Sequence, residues 1–193
     1  MKTGAGRDKW SERYREASSQ VRAPSDWVLQ AARQIPAGAT IVDLAGGLGR
    51  HACPLATSGR SVVLIDFIPE ALLLARRTTP SLNTVAADLW ALPLANETVD
   101  ALIVVNFLER ELFPMLQRVL RPGGFMVYET FTLDHPVLFG GGDTRGPRSP
   151  DHLLAPGELR TLVRPMEILQ YREGIVDDAA GKRACASVLA RKS

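Results

Sequence analysis

Residues 39–51 read ATIVDLAGGLGRH: an apolar-leaning run closes on Asp43, and glycines follow at 46, 47 and 49. The run predicts a strand over 40–45, and the glycines predict a tight turn into a helix. Gly47-x-Gly49-x-x-Ala52 fits a dinucleotide fingerprint, and Asp66 ends the next apolar run, where an acid would meet ribose hydroxyls. Asp43 counts against a dinucleotide. A pyrophosphate brought to a helix N-terminus would be repelled by a carboxylate at the end of the first strand, whereas an amine or sulfonium would be attracted.

Outward from this turn the pattern alternates. Helical segments are predicted at 8–18 and 25–35, the second with Ser25 or Asp26 as N-cap and a stop at PAG, 36–38. A helix within 50–58 follows the turn. SVVLID (61–66) predicts a strand, PEALLLARRT (69–78) a helix with proline in its first turn, and NTVAAD (83–88) a short strand. VDALIVVNF (99–107) predicts a strand, ERELFPMLQRVL (109–120) a helix, and FMVYETF (125–131) a strand after RPGG. Continuous apolar strands of this kind belong to a parallel sheet covered on both faces. Past a helix at 156–163, segments 166–174 and 183–192 are strand-like and close enough to form a hairpin, so one of them runs against the rest. The expected fold is α/β: a Rossmann-like, doubly wound, seven-stranded, mostly parallel sheet ending in an antiparallel hairpin.

The 193 residues are 46% hydrophobic and fit one domain. A net charge of +2 does not by itself argue for nucleic acid or a membrane. The two cysteines, Cys53 and Cys185, form no CxxC pair, so neither a zinc site nor a disulfide framework is expected. The polar start MKTGAGRDKW and the short apolar runs lead to the expectation of a cytoplasmic protein without membrane spans.

Asp43-Leu44-Ala45-Gly46-Gly47-Leu48-Gly49 resembles the first motif of class I S-adenosylmethionine-dependent methyltransferases, D-x-G-x-G-x-G, with Ala45 in the place of its first glycine. Pro54, inside the helix after the turn, is a second departure. The resemblance implies S-adenosylmethionine as cofactor, held by Asp43, Ala45, Gly46, Gly47 and Gly49. It implies Asp66 on the two ribose hydroxyls, Phe67 and Ile68 beside adenine, Asp88 and the N–H of Leu89 on the adenine edge, and Asn106 facing the transferred methyl. KWSERYREA near the start resembles the W-x-x-R-Y lead-in of the tellurite-resistance-type group, where the segment folds across the methionine end of the cofactor; this implies a cofactor-covering segment at 1–36, with Trp10 and Tyr14 as candidate caps or core residues.

Methyl transfer from a sulfonium needs an acceptor placed in line and water excluded, and a base only for some acceptors. Candidate acceptor-side residues are Tyr14, Asn106, Glu109, Arg110, Glu129, Arg145 and His152. Asn106 and Glu129 are the candidate catalytic positions, Glu129 orienting or deprotonating the acceptor or else pairing with an arginine. The Gly/Pro/Asp-rich stretch 132–152 is longer than ordinary connections and is expected to be a substrate-side loop, with Arg145 and Arg148 able to attract an anion or simply solvated. His135 and His152 read as lone histidines in polar loops, Cys53 as a packed side chain, and no metal site is expected. The leading expectation is a methyltransferase for a small-molecule acceptor, monomeric or homodimeric. Alternatives are an RNA-modifying methyltransferase, for which Arg110, Arg118 and Arg121 offer a thin basic face, a nicotinamide-dependent oxidoreductase, and a cofactor-binding protein without catalysis.

Overall fold

The computed structural model describes Glu12, Tyr14 and residues 22–138 and 146–193. Its frame is a seven-stranded sheet of order β3-β2-β1-β4-β5-β7-β6. The strands are β1 (Thr40–Leu44), β2 (Ser61–Asp66), β3 (Asn83–Ala86), β4 (Val99–Val105), β5 (Leu120–Phe131), β6 (Glu167–Val176) and β7 (Arg183–Arg191). Pairings β1–β2, β1–β4, β2–β3 and β4–β5 are parallel. β7 runs antiparallel to both β5 and β6, so it is the reversed strand of the hairpin that the spacing predicted.

Successive strand residues point to opposite faces, and each face carries its own core. Val42, Leu44, Val104, Tyr128 and Val188 pack on one side with Phe113 and Leu116. Ile41, Ile103, Val105, Val127 and Leu189 pack on the other with Val28, Ala31 and Leu55. That double burial is why the strands read as unbroken apolar runs.

The helices are α1 (Asp26–Ala32), α2 (Ala52–Thr57), α3 (Pro69–Thr78), α4 (Phe113–Val119), α5 (Asp134–Leu138) and α6 (Glu158–Leu162). Ser25 caps α1, its side chain accepting from the Val28 N–H. Pro54 falls in the first turn of α2, where its missing N–H has no intrahelical partner to lose. The helix expected at 109–120 is divided: residues Arg110–Leu112 form a 3-10 turn and α4 begins at Phe113, with Pro114 in its first turn. β5 starts earlier than predicted, at Leu120, with the pairing to β4 interrupted between Val99 and Ala101 where RPGG bulges out.

The stretch 132–152 is not one irregular loop. α5 and a 3-10 turn at Pro150–His152 lie within it, and the Thr132–Leu154 bridge ties its two ends together. The segment expected to cover the cofactor lies largely outside the described residues, as do Trp10 and Arg145. Among the described residues no helix is long and apolar enough to cross a membrane.

Candidate active site

β1 has β2 on one side and β4 on the other, so the chain reverses its direction of travel across the sheet between β1 and β4. Open α/β sheets bind ligands at that crevice, outside the C-terminal ends of the strands. The predicted residues gather on this rim. Asp43 stands near the end of β1 opposite Leu64 and Ile103, Asp66 ends β2, and Asn106 follows β4. Glu129 pairs with Val105 near the end of β5. Asp88 and Leu89 follow β3, the Ala87 N–H donating to the Asp66 carbonyl.

The turn after β1 is pressed against its own acid. A Cβ on Gly46 would lie 2.8 Å from the Asp43 carboxylate, so only glycine fits. Gly47 has φ +55, and a side chain there would strike the Tyr14 hydroxyl, which places Tyr14 directly over the turn. Ala45 has φ 52, a left-handed conformation that penalises its methyl group. The absent family glycine is therefore absent from a position whose backbone suits glycine.

Asp43 is buried, and its Oδ2 accepts from the Ala52 N–H at 3.1 Å. Its Oδ1 is buried with no hydrogen-bond partner among the described residues. Burial pushes its pKa up to about 7, against the pull of the Ala52 N–H and the Arg50 guanidinium. Asp66 accepts from the Gly47 N–H through Oδ2 at 2.8 Å and from the Ile68 N–H through Oδ1 at 2.9 Å. Burial raises its pKa while those backbone donors oppose the shift. Phe67 is partly buried, and Ile68 and Leu89 are buried. Asp88 caps the 3-10 turn at Leu89–Ala91 by accepting from the Trp90 N–H.

Asn106 is exposed, with φ 57. Two residues of β5 hold this turn: the Asn106 N–H donates to the Glu129 carbonyl at 2.8 Å, and the buried Tyr128 hydroxyl donates to the Phe107 carbonyl at 2.6 Å. The Glu129 side chain is fully buried among cations. Arg183 donates to its Oε1 at 2.9 Å, Arg172 to its Oε2 at 2.9 Å, and the Ser187 hydroxyl to Oε2 at 2.8 Å. Burial opposes its charge, yet Arg183, Ser187 and Arg172 hold its pKa below the usual carboxylate value. Of the roles foreseen for Glu129, arginine pairing is the one the geometry displays. A carboxylate so held is a poor proton acceptor.

Several other expectations need correction. His135 is buried, its Nδ1 accepting from the Ala184 N–H and its ring tilted over Phe131 at 4.3 Å, because α5 folds back onto β7. Arg110 is bound to Glu158 and to the carbonyls of Asp151 and Leu153, so it clamps the far end of the 132–152 stretch. His152 ends the 3-10 turn on the surface. Glu109 precedes the 3-10 turn of Arg110.

Two functional candidates were missed. His51 is buried with its Nε2 accepting from the Ser25 N–H, and burial holds its pKa well down, so it is a neutral strut between the starts of α1 and α2. Arg50 is partly buried and makes no hydrogen bond among the described residues. A cation directly after the glycine turn, in GLGRH, was the available signal.

The sheet order and the reversed β7 define a Rossmann-like fold. Residues 41–124 match the family described as "Methyltransferase domain". Demethylmenaquinone methyltransferase of Renibacterium salmoninarum is 35% identical over 125 residues, 62% of this chain and 51% of that protein. The chain thus spans about half the length of the curated relatives it matches. Among solved structures, a SAM-dependent methyltransferase from Methanosarcina mazei superposes with TM-score 0.72 at 19% identity, covering 88% of this chain and 98% of its own. TehB from Haemophilus influenzae gives 0.70 at 22%, covering 97% and 67%.

The residues present fit S-adenosylmethionine. The unpartnered Asp43 oxygen is a buried acceptor for a cationic ligand. The Asp66 carboxylate, with about four acceptor sites, retains capacity for a ribose hydroxyl beyond its backbone donors from Gly47, Ile68 and Phe67.

Proposed function

We propose that this chain is an S-adenosylmethionine-dependent methyltransferase acting on a small-molecule acceptor. The observation that carries the reading is the orphaned Oδ1 of Asp43 beneath the glycine turn. An unpaired buried acceptor is costly and suits an ammonium or sulfonium, while its charge disfavours a diphosphate. The small-molecule acceptor is supported by the relatives named demethylmenaquinone methyltransferase. Kinship with the tellurite-resistance-type group is supported by the TehB likeness and by Tyr14 lying over Gly47. We take residues 1–193 as one cytoplasmic domain, monomeric or homodimeric.

In this reading Asp43, Ala45, Gly46, Gly47 and Gly49 hold the amino-acid end of the cofactor, with Tyr14 above them. Asp66 holds the ribose, Phe67 lies beside the base, and Asp88 and Leu89 meet its edge. The cofactor, when bound, supplies a methyl group on a sulfonium whose departure leaves a neutral thioether. The chain therefore has to orient and desolvate more than to move protons. Asn106, exposed on the rim, orients the acceptor. Glu129 acts as a positioning residue, its carbonyl holding the Asn106 turn while its ionised side chain anchors the hairpin behind it.

Calorimetric titration with S-adenosylhomocysteine and with NADH tests the cofactor. Binding of the first and not the second is expected, and the reverse overturns the proposal. Incubation with labelled S-adenosylmethionine and a panel of thiols, tellurite, selenite and cell extract tests catalysis. Cofactor binding without transfer to any of them would favour the non-catalytic alternative.

A further inference from the structure

Ser25 and His51 both stand at helix starts, and each leaves a local capping role unfilled. Ser25 caps α1 through its side chain, but Val28 stands where the Glu or Gln of a capping box would return a bond to the Ser25 N–H. His51 is the N-cap of α2, yet its side chain makes no bond to that helix. The two open roles meet: the Ser25 N–H donates to His51 Nε2 at 3.1 Å, across 26 residues of chain, with both residues buried. The far side of Ser25 is fixed as well. Arg183 Nη2 donates to Ser25 Oγ at 3.0 Å and to Glu129 Oε1 at 2.9 Å, so the imidazole leans on a post anchored in β5 and β7. The near side of the imidazole reaches the glycine turn. The next peptide N–H, that of Ala52, donates to Asp43 Oδ2 at 3.1 Å, while Oδ1 has no partner among the described residues.

We propose that His51 is a positioning residue for the cofactor: braced on the Ser25 N–H, it fixes the His51–Ala52 peptide that engages one Asp43 oxygen and leaves the other for the cofactor's amino group. The assignment rests on the methyl-transfer reading. An accepting Nε2 requires the neutral ring with its proton on Nδ1, and burial near Arg50 and Arg183 keeps the ring neutral. An apolar side chain in its place would strand the buried Ser25 N–H, and the start of α2 would be free to move to relieve it. The demand on the side chain is therefore an acceptor at one reach. Glutamine carries its amide oxygen as many bonds from Cα as Nε2 lies, whereas the asparagine oxygen is one bond short. The cofactor's amino-acid end is the part that depends on Asp43, while its adenosine is held by Asp66 and the residues after β2 and β3. Loss of the brace should therefore be felt at one end of the ligand and not at the other.

The test is calorimetric titration of the full chain and its variants with S-adenosylhomocysteine, which has the amino-acid end, and with 5′-methylthioadenosine, which lacks it. His51→Leu is expected to weaken S-adenosylhomocysteine binding about ten-fold or more, while 5′-methylthioadenosine stays within about two-fold. His51→Gln is expected to hold S-adenosylhomocysteine within about three-fold of wild type, and His51→Asn to lose it as the leucine variant does. A packing role alone would separate neither the two amides by their reach nor the two ligands by their tails. Equal losses for both ligands, or an unchanged S-adenosylhomocysteine affinity in the leucine variant, would overturn the proposal. So would a glutamine variant that is unfolded or more than about three-fold weaker than wild type. Should the leucine variant not fold, as judged by circular dichroism, the glutamine–asparagine pair decides alone, and equal affinity of the two counts against the brace. A wild-type protein that bound neither ligand would instead fell the methyl-transfer reading, and this assignment with it.

Discussion

Replacing Asp43 by Asn removes a titration from the middle of the sheet. The carboxyl pKa is about 7 in the folded protein and about 3.9 in an unfolded chain. A pKa raised by folding means that the native state binds the proton more tightly. The associated stability is present below about pH 4 and is lost as pH rises through about 7. At about 1.4 kcal/mol for each pKa unit, the loss grows from about 1.5 kcal/mol at pH 5 to about 4 kcal/mol at pH 8, a change of about 2.5 kcal/mol. Asn keeps an oxygen for the Ala52 N–H but cannot ionise, so Asp43→Asn should lack this pH-dependent component. Urea unfolding of the unliganded proteins at pH 5 and pH 8 gives the double difference, in which the shifted His51 cancels because both proteins contain it, and the charge coupling between Asp66 and Asp43 is counted with Asp43. The variant should gain about 2.5 kcal/mol on the wild type between the two pH values while losing affinity for S-adenosylmethionine. Stability–pH curves that run parallel within about 0.5 kcal/mol would show that Asp43 is not a desolvated acid, and the cationic-ligand argument would go with it.

Asp66→Ala should weaken S-adenosylhomocysteine binding ten-fold or more, on the scale of about 1.5–3 kcal/mol for charge-assisted hydrogen bonds; unchanged calorimetric affinity in a folded variant would refute the ribose assignment. Glu129→Ala should destabilise the fold by about 3–5 kcal/mol in chemical denaturation, because it strands Arg183 and Arg172. A variant of native stability would mean that the cluster is not cohesive. Ala45→Gly should relieve the positive φ and raise stability by about 1 kcal/mol, seen as a midpoint shift of about 2–4 °C. A drop in the melting temperature would contradict the strain.

What the sequence disclosed and what it hid divide along the range of the interactions involved. The strands through 40–44, 61–66 and 99–105 announced themselves because both of their faces are buried, and the hairpin because two strand patterns lay close together. The Asp43 turn was legible because all its parts sit within one short segment. Glu129 was ambiguous for the opposite reason: its partners Arg172 and Arg183 lie 43 and 54 residues further along the chain. Nothing local distinguishes those arginines from solvated ones. His135 looked like a loop histidine until α5 brought it under β7. The positive φ of Asn106 arises from how β4 ends against β5, which no residue pattern encodes.

Arg183 touches Ser25 at the head of α1 and Glu129 near the end of β5 through a single nitrogen. A polypeptide still emerging from the ribosome, with β7 not yet made, has only Arg172 of β6 to offset that buried glutamate and no latch for that serine. Completion of the domain must therefore wait for β7, and a message truncated before it would yield a product with its rim undone.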